Sequence, residues 1–323
     1  MASLTGPPSP PLNPQPDPSV RFERAGQALR NDALSVLLTG RPNAGDAAVR
    51  PFLTFAQENE LDLESLWIAW DGKRMAASTL IVPGVGKTAM LFLSPMSSGG
   101  RVTIAGQLVA HALSTLDGQK IQLVQSLLEQ GQTLQQRAIE AGGFRFLAEL
   151  AYMQRPGKAY APLPSVRFEG EVLTPVTWSE SARPLFSEAI AQSYEDTLDC
   201  PGLLGLRGMD DIIAGHMATG RFDPAHWTVW HDAQKRPAAV LLMAESTGGT
   251  GFELVYLGVS PFARGRGLSK LLMRYALDLT DKHGRGDLFL AVDDRNEPAL
   301  RLYRGLGFRV SVRKTALIYT PPT

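Results

Sequence analysis

The chain has 323 residues, of which 44% are hydrophobic and 20% are charged, and its formal net charge is zero. This length suits two domains of ordinary size, and the composition is that of a globular protein. The balanced charge gives no basis for a nucleic-acid partner or an anionic membrane surface, and no apolar run approaches the roughly 20 residues of a membrane helix. A single cysteine, Cys200, excludes an intrachain disulfide, so we expect a cytoplasmic protein.

The first half of the chain predicts one α/β unit behind a tail. Residues 1–19 are rich in proline, serine and asparagine, and such a segment cannot bury enough apolar surface to offset its ordering entropy. We therefore expect a disordered tail, followed by a domain over residues 20–154. Its predicted elements are a strand at 22–24, helices at 31–38 and 49–58, a hairpin with strands 66–70 and 75–82, a strand at 89–93, a helix at 102–116, a strand at 121–126, a helix at 134–141 and a strand ending at 152.

The second half repeats this order after a linker. Residues 155–165 contain three prolines and a glycine, which is typical of a linker, and a second domain is predicted over residues 166–323. Ser94-Pro95 corresponds to Ser260-Pro261, and Gly143-Phe144 corresponds to Gly307-Phe308, so the two copies lie about 165 residues apart. The predicted elements are a strand at 172–178, a helix ending at 194, a loop at 197–208, a helix at 209–217, a hairpin with strands 227–231 and 237–245, a central strand ending at 259, a helix from 268, a strand at 287–292, a short helix near 299–303 and a last strand at 309–319.

The strongest chemical signal lies between the central strand and the next helix, where residues 264–267 read Arg-Gly-Arg-Gly. Backbone amides at the start of a helix have no partners within the helix, and the macrodipole adds partial positive charge there. Glycines let an anion approach this backbone closely, while the arginines and Lys270 add full charges. The pattern predicts a phosphate or pyrophosphate site, although it matches neither the P-loop nor the dinucleotide fingerprint.

Two motifs in this half resemble the signatures of the GNAT superfamily of acetyl-CoA-dependent N-acetyltransferases. The acyl-CoA signature, Arg or Gln, two residues, Gly, one residue, then Gly or Ala, reads here from Arg264 to Ser269, and Ser269 departs at the last position. About 40 residues later comes the second signature, which reads Asn296, Tyr303, Gly307 and Phe308. The resemblance covers roughly residues 172–319. It implies an α/β fold of two tandem GNAT-type domains, each a mixed, mostly antiparallel sheet flanked by helices, in a layout similar to that of the mycothiol synthases.

The resemblance implies acetyl transfer from acetyl-CoA to a primary amine, with Tyr303 protonating the departing thiolate. The family resemblance also makes Glu253 a candidate base, with water alone as the alternative. We expect Glu253, Val255, Leu257 and Val259 to share one face of the strand by alternation. The expected cofactor-binding residues are Leu257, Gly258, Val259, Arg264, Gly265, Arg266, Gly267, Leu268, Ser269, Lys270 and Asn296. Within this set Gly258 indicates a bulge or a close backbone approach, and Asn296 either bonds the cofactor or caps its helix.

The region between the first two helices of the second copy is expected to form the acceptor pocket, as it does in the family. Its candidate residues are Tyr194, Asp196, Asp199 and His216. The two carboxylates would hold an ammonium group, and His216 would relay a proton. Scattered histidines and one cysteine give no metal-ligand spacing, so no metal is expected.

The first copy lacks the chemical residues of the second. Ser98 stands in the place of Arg264, Arg101 in the place of Gly267 and Ile139 in the place of Tyr303. We expect a degenerate structural partner, although Gly99-Gly100 leaves a second cofactor site as the alternative. A different class of function is also open, namely a non-catalytic acyl-CoA-binding sensor or scaffold. The acceptor, a small-molecule or peptide amine, and the oligomeric state are left undecided by the sequence.

Overall fold

A computed structural model describes residues 20–42, 45–157, 167–168, 171–249, 251–282 and 286–322. The predicted tail and most of the predicted linker lie outside these residues. The chain divides into two compact units, the first comprising residues 1–82, 91–116 and 132–145, and the second comprising residues 83–90, 117–131 and 146–323. These units cross the boundary between the two predicted copies, so the copy boundaries stay a prediction about the sequence repeat.

The first unit holds three antiparallel strands and four helices. Strand β1 pairs with β2, and β2 pairs with β3 across the predicted turn, where Gly72 adopts a left-handed φ of +57°. Fully buried residues such as Leu34, Leu66, Ile68 and Leu80 form its core. The elements are β1 (Val20–Arg24), α1 (Arg30–Thr39), α2 (Asp46–Glu58), β2 (Leu66–Asp71), β3 (Arg74–Gly84), α3 (Val102–Ser114) and α4 (Thr133–Ala141), and a strand β4 (Thr88–Leu93) is divided between the units.

The second unit is built on one large mixed sheet, and two of its short strands, residues 167–168 and 171–172, form a separate antiparallel pair. Its elements are β5 (Leu123–Glu129), β6 (Arg145–Arg155), β7 (Arg167–Phe168), β8 (Glu171–Val172), β9 (Thr174–Thr177), α5 (Arg183–Tyr194), α6 (Met209–Met217), β10 (Trp227–His231), β11 (Pro237–Glu245), β12 (Gly251–Val259), α7 (Leu268–Lys282), β13 (Asp287–Asp293), α8 (Glu297–Gly305) and β14 (Arg309–Tyr319). The strand order is β5-β14-β6-β13-β12-β11-β10-β9. Strand β12 runs parallel to β13 and antiparallel to β11, and β10 is antiparallel to both β9 and β11. This mixed, mostly antiparallel sheet with its helices confirms the predicted α/β fold class.

The last strands of the two predicted copies are exchanged within this sheet. Strand β6, from the first copy, pairs with β13, and Tyr152 lies opposite Ala291. Strand β14, from the second copy, pairs with β5, and Thr315 lies opposite Leu128. A strand of the first copy therefore lies directly beside β13.

Helices cover both faces of the sheet. Helices α7 and α8 pack on one face, where Leu272 and Leu300 join alternate residues of β11 such as Leu241. Helices α5 and α6 pack on the other face, where Phe186 contacts Trp227, with ring centroids 6.3 Å apart. Within the described part of the chain, none of the helices has the length and apolarity needed to cross a membrane.

A β-bulge in β12 changes which residues share a face. The register against β11 shifts by one residue, which leaves Val255 as the extra residue. Leu254 lies in the core beside α7, and beyond the bulge Leu257 and Val259 pack against that same core. The expectation that Glu253, Val255, Leu257 and Val259 share one face was therefore wrong, because the bulge interrupts the alternation on which it depended.

Candidate active site

The candidate site is the cleft that opens where β12 and β13 part. Their parallel pairing covers only Gly251–Glu253 against residues 287–289, whereas β12 stays paired with β11 as far as Val259. Backbone N–H and C=O groups of β12 that point away from β11 therefore lose their sheet partners beyond Glu253. The cleft has a volume of about 630 Å³, and residues 254–259 form one wall while Ala291 and Val292 belong to the other. This size is typical of a small-molecule site.

One end of the cleft is closed by the predicted glycine turn. Gly265 and Gly267 have φ angles of +74° and +81°, the left-handed region that favours glycine. A Cβ atom built on either glycine would meet no atom within 4 Å, so the space beside the turn is open. Helix α7 begins at Leu268, and the amides of Leu268 and Ser269 have no acceptor within their own helix. The turn therefore offers backbone donors and a positive helix end to an anion.

Arg264 holds this turn in place. Its Nε donates to the Val259 carbonyl oxygen at 3.0 Å, and its Nη2 donates to the Ser193 carbonyl oxygen at 3.0 Å. The guanidinium thus ties the end of β12 to the last turn of α5. Arg266 and Lys270 are instead exposed on the outside of the turn. Arg264 and Arg266 both belong to the sequence motif, but Arg264 is half-buried and bonded to two carbonyl oxygens, whereas Arg266 is exposed.

Tyr303 lies on the cleft wall, carried by α8. Asn296 caps this helix, because its Oδ1 accepts the N–H of Ala299 at 3.3 Å. Tyr303 is only 8% exposed and packs against Phe308, with ring centroids 5.7 Å apart. Burial, and secondly the charge of Asp199, raise the pKa of Tyr303 above its ordinary value. Its phenol therefore stays protonated at physiological pH and can donate a proton.

The loop of residues 195–208, here named the acceptor loop after the role predicted for it, contributes residues 196–199 to the wall of the cleft. Asp196 and Asp199 both line the cleft, and Asp196 has a left-handed φ of +52°. Asp199 Oδ1 accepts the N–H of Asp293 at 2.8 Å, and the Asn296 side chain also hydrogen-bonds to Asp199. Desolvation outweighs these bonds and raises the pKa of Asp199. The acceptor loop is thereby fixed to the end of β13 and the start of α8.

An aromatic cluster lies behind the acceptor loop. Tyr256 stands between Tyr194 and His216, with ring centroids 5.7 Å and 5.5 Å away. The Tyr256 hydroxyl lies 2.8 Å from Ser193 Oγ, and it is the donor, since Ser193 gives its own proton to the Ile190 carbonyl oxygen. Burial raises the pKa of Tyr194 to about 12. Burial also lowers the pKa of His216 to about 4, so its imidazole is neutral at physiological pH.

Not every predicted site residue faces the cleft. The predicted residues on its walls are Asp196, Asp199, Leu257, Gly258, Val259, Arg264, Gly265, Gly267, Leu268, Ser269, Asn296 and Tyr303. In the described chain, Glu253, Tyr194, His216, Arg266 and Lys270 are outside this set of wall residues. Burial raises the pKa of Glu253, which hydrogen-bonds to Ser246. Its role as a base stays a prediction.

Gly258 lies where α5 approaches β12 closely, and the β-bulge that a glycine also indicated lies at another residue. A Cβ on Gly258 would lie 2.6 Å from Ser193 Cβ and 2.8 Å from Tyr256 Cε1. The close approach at this glycine is therefore that of α5, and the bulge sits at Val255 instead. Ser193 also accepts the Arg264 bond through its carbonyl oxygen. No local pattern singles out this serine, because Arg264 and Tyr256 lie more than 60 residues away along the chain.

The corresponding turn of the first copy has another conformation. Gly99–Arg101 form a single 3-10 turn that leads directly into α3 at Val102, and neither Gly99 nor Gly100 has a positive φ. Ile139, in the place of Tyr303, is fully buried. Among the described residues there is also no group of three or more histidine, cysteine, aspartate or glutamate side chains able to hold a metal ion.

Comparisons with known proteins identify relatives in sequence and in fold. Residues 188–308 match the sequence model of the acetyltransferase (GNAT) family. Mycothiol acetyltransferase from Frankia alni is 30% identical over 180 residues, which cover 53% of this chain and 53% of that protein. Mycothiol acetyltransferase from Thermobifida fusca is 35% identical over 99 residues, 31% of this chain and 28% of that protein. The chain thus spans about half or less of the length of these curated relatives.

A solved structure shows the shared fold. The GCN5-related N-acetyltransferase from Sphaerobacter thermophilus superimposes with a TM-score of 0.59 at 16% identity, covering 95% of this chain and 97% of that one.

Proposed function

Residues 188–308 form a domain of the acetyltransferase (GNAT) family, and on that premise we propose that the protein transfers an acetyl group from acetyl-CoA to a primary amine. The observation that carries this proposal is the cleft between β12 and β13, which has an anion-binding turn at one end and Tyr303 on its wall. We further propose that the second copy alone is catalytic. The first copy supports this assignment, since its turn has no left-handed glycine and Ile139 replaces the tyrosine.

The cleft fits acetyl-CoA on two counts. The edge of β12 at Leu257–Val259 has no strand beside it on the cleft side and offers backbone groups to the amides of a pantetheine arm, as in strand addition, except for the Val259 carbonyl oxygen, which accepts the Arg264 bond. The turn at residues 265–269 offers backbone donors to the diphosphate, with the charges of Arg266 and Lys270 nearby. When bound, acetyl-CoA supplies an activated acetyl group as its thioester.

The residues of the chain would then perform three tasks. The edge of β12 aligns the thioester, and a backbone N–H from it stabilises negative charge on the carbonyl oxygen. Tyr303, kept protonated by its buried setting, gives its proton to the departing sulfur. The carboxylates of Asp196 and Asp199 on the cleft wall attract an acceptor that is cationic in solution.

The acceptor is proposed to be a small-molecule or peptide amine. Acetyl transfer is supported by the names of the relatives. One is mycothiol acetyltransferase. Another is streptothricin acetyltransferase from Streptomyces lavendulae, which is 44% identical over 50 residues, 16% of this chain and 26% of that protein. The lone cysteine in the sequence fits a reducing compartment, and we propose the cytoplasm.

The test is thiol release from acetyl-CoA across a panel of amines, with binding of acetyl-CoA measured in parallel. We expect thiol release that depends on at least one amine. Binding without turnover for any amine would instead support the sensor or scaffold, and an absence of binding would refute both functions.

A further inference from the structure

Two carboxylates line the described part of the cleft, and only one of them is anchored there by a backbone hydrogen bond that the structure records. Asp199 belongs to the acceptor loop, but its Oδ1 is bound by the N–H of Asp293 at the end of β13. Asp196 is exposed at a left-handed loop position. Resting on the function proposed above, we propose that Asp199 is the base that removes a proton from the acceptor ammonium group. This assignment replaces Glu253, which is not a wall residue.

The anchoring gives Asp199 the fixed position that proton transfer requires. Asp293 is fully buried, and its carboxylate bonds both the backbone N–H and the guanidinium of Arg295, at 2.9 Å and 3.3 Å. The chain around Asp293 is therefore rigid, and its N–H holds Asp199 against the wall of the cleft. The Asn296 amide adds a second bond from the start of α8, the helix that also carries Tyr303. Helix α8 therefore carries Tyr303, the proton donor, and also helps to hold Asp199, the proposed base.

The surroundings of Asp199 suit a base. Although the residue is exposed, desolvation of its carboxylate is the largest influence and raises its pKa, with the charge of Asp293 adding to this and the hydrogen bonds opposing it. A raised pKa makes a carboxylate a better proton acceptor near neutral pH. The titratable groups that interact with it are Tyr194, Tyr256, Cys200, Asp293 and Tyr303, and Arg295 is the ion-pair partner of Asp293.

The tyrosines and the cysteine among these neighbours do not titrate on the acidic side, because burial raises their pKa values. Burial raises the pKa of the Cys200 thiol to about 12 and that of Tyr194 to about 12, so both stay neutral. Asp293 is paired with the Arg295 guanidinium at 3.3 Å. A loss of activity on the acidic side is therefore assigned to Asp199 by comparing wild type with Asp199→Asn.

In the proposed step, one proton passes from the acceptor to Asp199 and another passes from Tyr303 to the departing sulfur. The acceptor enters as R–NH₃⁺, and the Asp199 carboxylate takes one of its protons to become a carboxylic acid. The freed nitrogen lone pair forms the new C–N bond, the C–S bond breaks, and the sulfur takes the proton of Tyr303. The nitrogen then loses its surplus proton to the Tyr303 oxygen, and Asp199 releases its own proton to water. The net products are the acetylated amine, the free thiol and one proton.

The experiment is the pH profile of kcat/KM for an active amine, from roughly pH 5 to pH 9, for wild type, Asp199→Asn and Glu253→Gln. A base must be deprotonated, so wild-type activity should be lost as pH falls through the raised pKa of Asp199. Asp199→Asn should lower kcat/KM by about 10²–10⁴-fold and remove the inflection that defines this acidic limb, so that the rate follows only the fraction of free amine over the whole range. Glu253→Gln should retain the limb.

Chemical rescue by a small carboxylate tests whether the lost activity is due to the missing base or to a change in the shape of the site. Added formate should accelerate Asp199→Ala and leave wild type unchanged, provided that the acetyl-CoA affinity of the variant matches that of wild type. An acidic limb that persists in Asp199→Asn, a limb lost in Glu253→Gln instead, or an absence of rescue would overturn the assignment of Asp199. Wild type that releases no thiol with any amine would refute the proposed acetyl transfer itself, which is a different result.

Discussion

Replacing Gly258 with alanine tests the contact between α5 and β12 that shapes the cleft. The added Cβ would lie 2.6 Å from Ser193 Cβ and 2.8 Å from Tyr256 Cε1, with Ser193 Oγ nearer still. None of these atoms is the free end of a flexible chain, because Ser193 is a buried helix residue whose hydroxyl is committed to Ile190. Helix and strand must therefore move apart.

Such overpacking costs about 1–3 kcal/mol of the free energy of unfolding. For a domain of 150–250 residues, each kcal/mol shifts Tm by roughly 2–4 °C, so Gly258→Ala should lower Tm by about 2–12 °C. The Ser193 carbonyl oxygen accepts the Arg264 bond, so a shift of α5 should disturb this bond and the acceptor loop that follows α5. The KM for the acceptor should therefore rise as well. Both effects are measurable by thermal unfolding followed by circular dichroism, and by initial rates.

A matched control is Gly305→Ala. No atom lies within 4 Å of a Cβ built on Gly305, which ends α8 without a positive φ. Alanine is favoured over glycine in a helix by about 0.5–1 kcal/mol, so this variant should be neutral or slightly stabilised. An unchanged Tm in Gly258→Ala, or equal losses in both variants, would refute the packing account of Gly258.

Three further substitutions test separate parts of the site. Tyr303→Phe should lower kcat by about 10²–10⁴-fold with the Kd for acetyl-CoA unchanged, as measured by steady-state rates and calorimetry; undiminished kcat would remove its role as proton donor. Arg264→Gln should raise the KM for both acetyl-CoA and the acceptor, because the bonds that join the turn, the end of β12 and α5 are lost, whereas Arg266→Gln should weaken acetyl-CoA binding alone; an unchanged acceptor KM in Arg264→Gln would contradict that link. Asn296→Ala should cost about 0.5–2 kcal/mol in urea unfolding through loss of the helix cap, and unaltered stability would contradict the capping bond.

Short-range patterns in the sequence predicted much of the fold and of the turn. The hairpin of β10 and β11 matches the predicted residues 227–231 and 237–245, because two short, largely apolar runs and the turn between them lie within one segment. The glycines at 265 and 267 were recognisable for the same reason, since a left-handed turn before a helix depends on adjacent residues.

The structural features that could not be predicted from the sequence depend on contacts between residues that are distant along the chain. The exchange of β6 and β14 leaves the order of elements unchanged, so no local pattern distinguishes it from self-contained copies. The bulge at Val255 is a matter of register against β11 and not of composition. Likewise, Asp199 reads as an ordinary loop carboxylate until its bond to Asp293, 94 residues later, is known.

The most direct test of the central claim is calorimetric titration of acetyl-CoA into wild type, Gly267→Glu and Arg101→Glu, with Gly267→Ala to isolate the cost of a side chain at a φ of +81°. Wild type and Arg101→Glu should bind one equivalent with the same Kd. Gly267→Glu should weaken binding on the order of 10²-fold or more beyond Gly267→Ala, because charge-assisted hydrogen bonds to the diphosphate contribute about 1.5–3 kcal/mol each. An unchanged Kd in Gly267→Glu would show that acetyl-CoA does not bind at this turn.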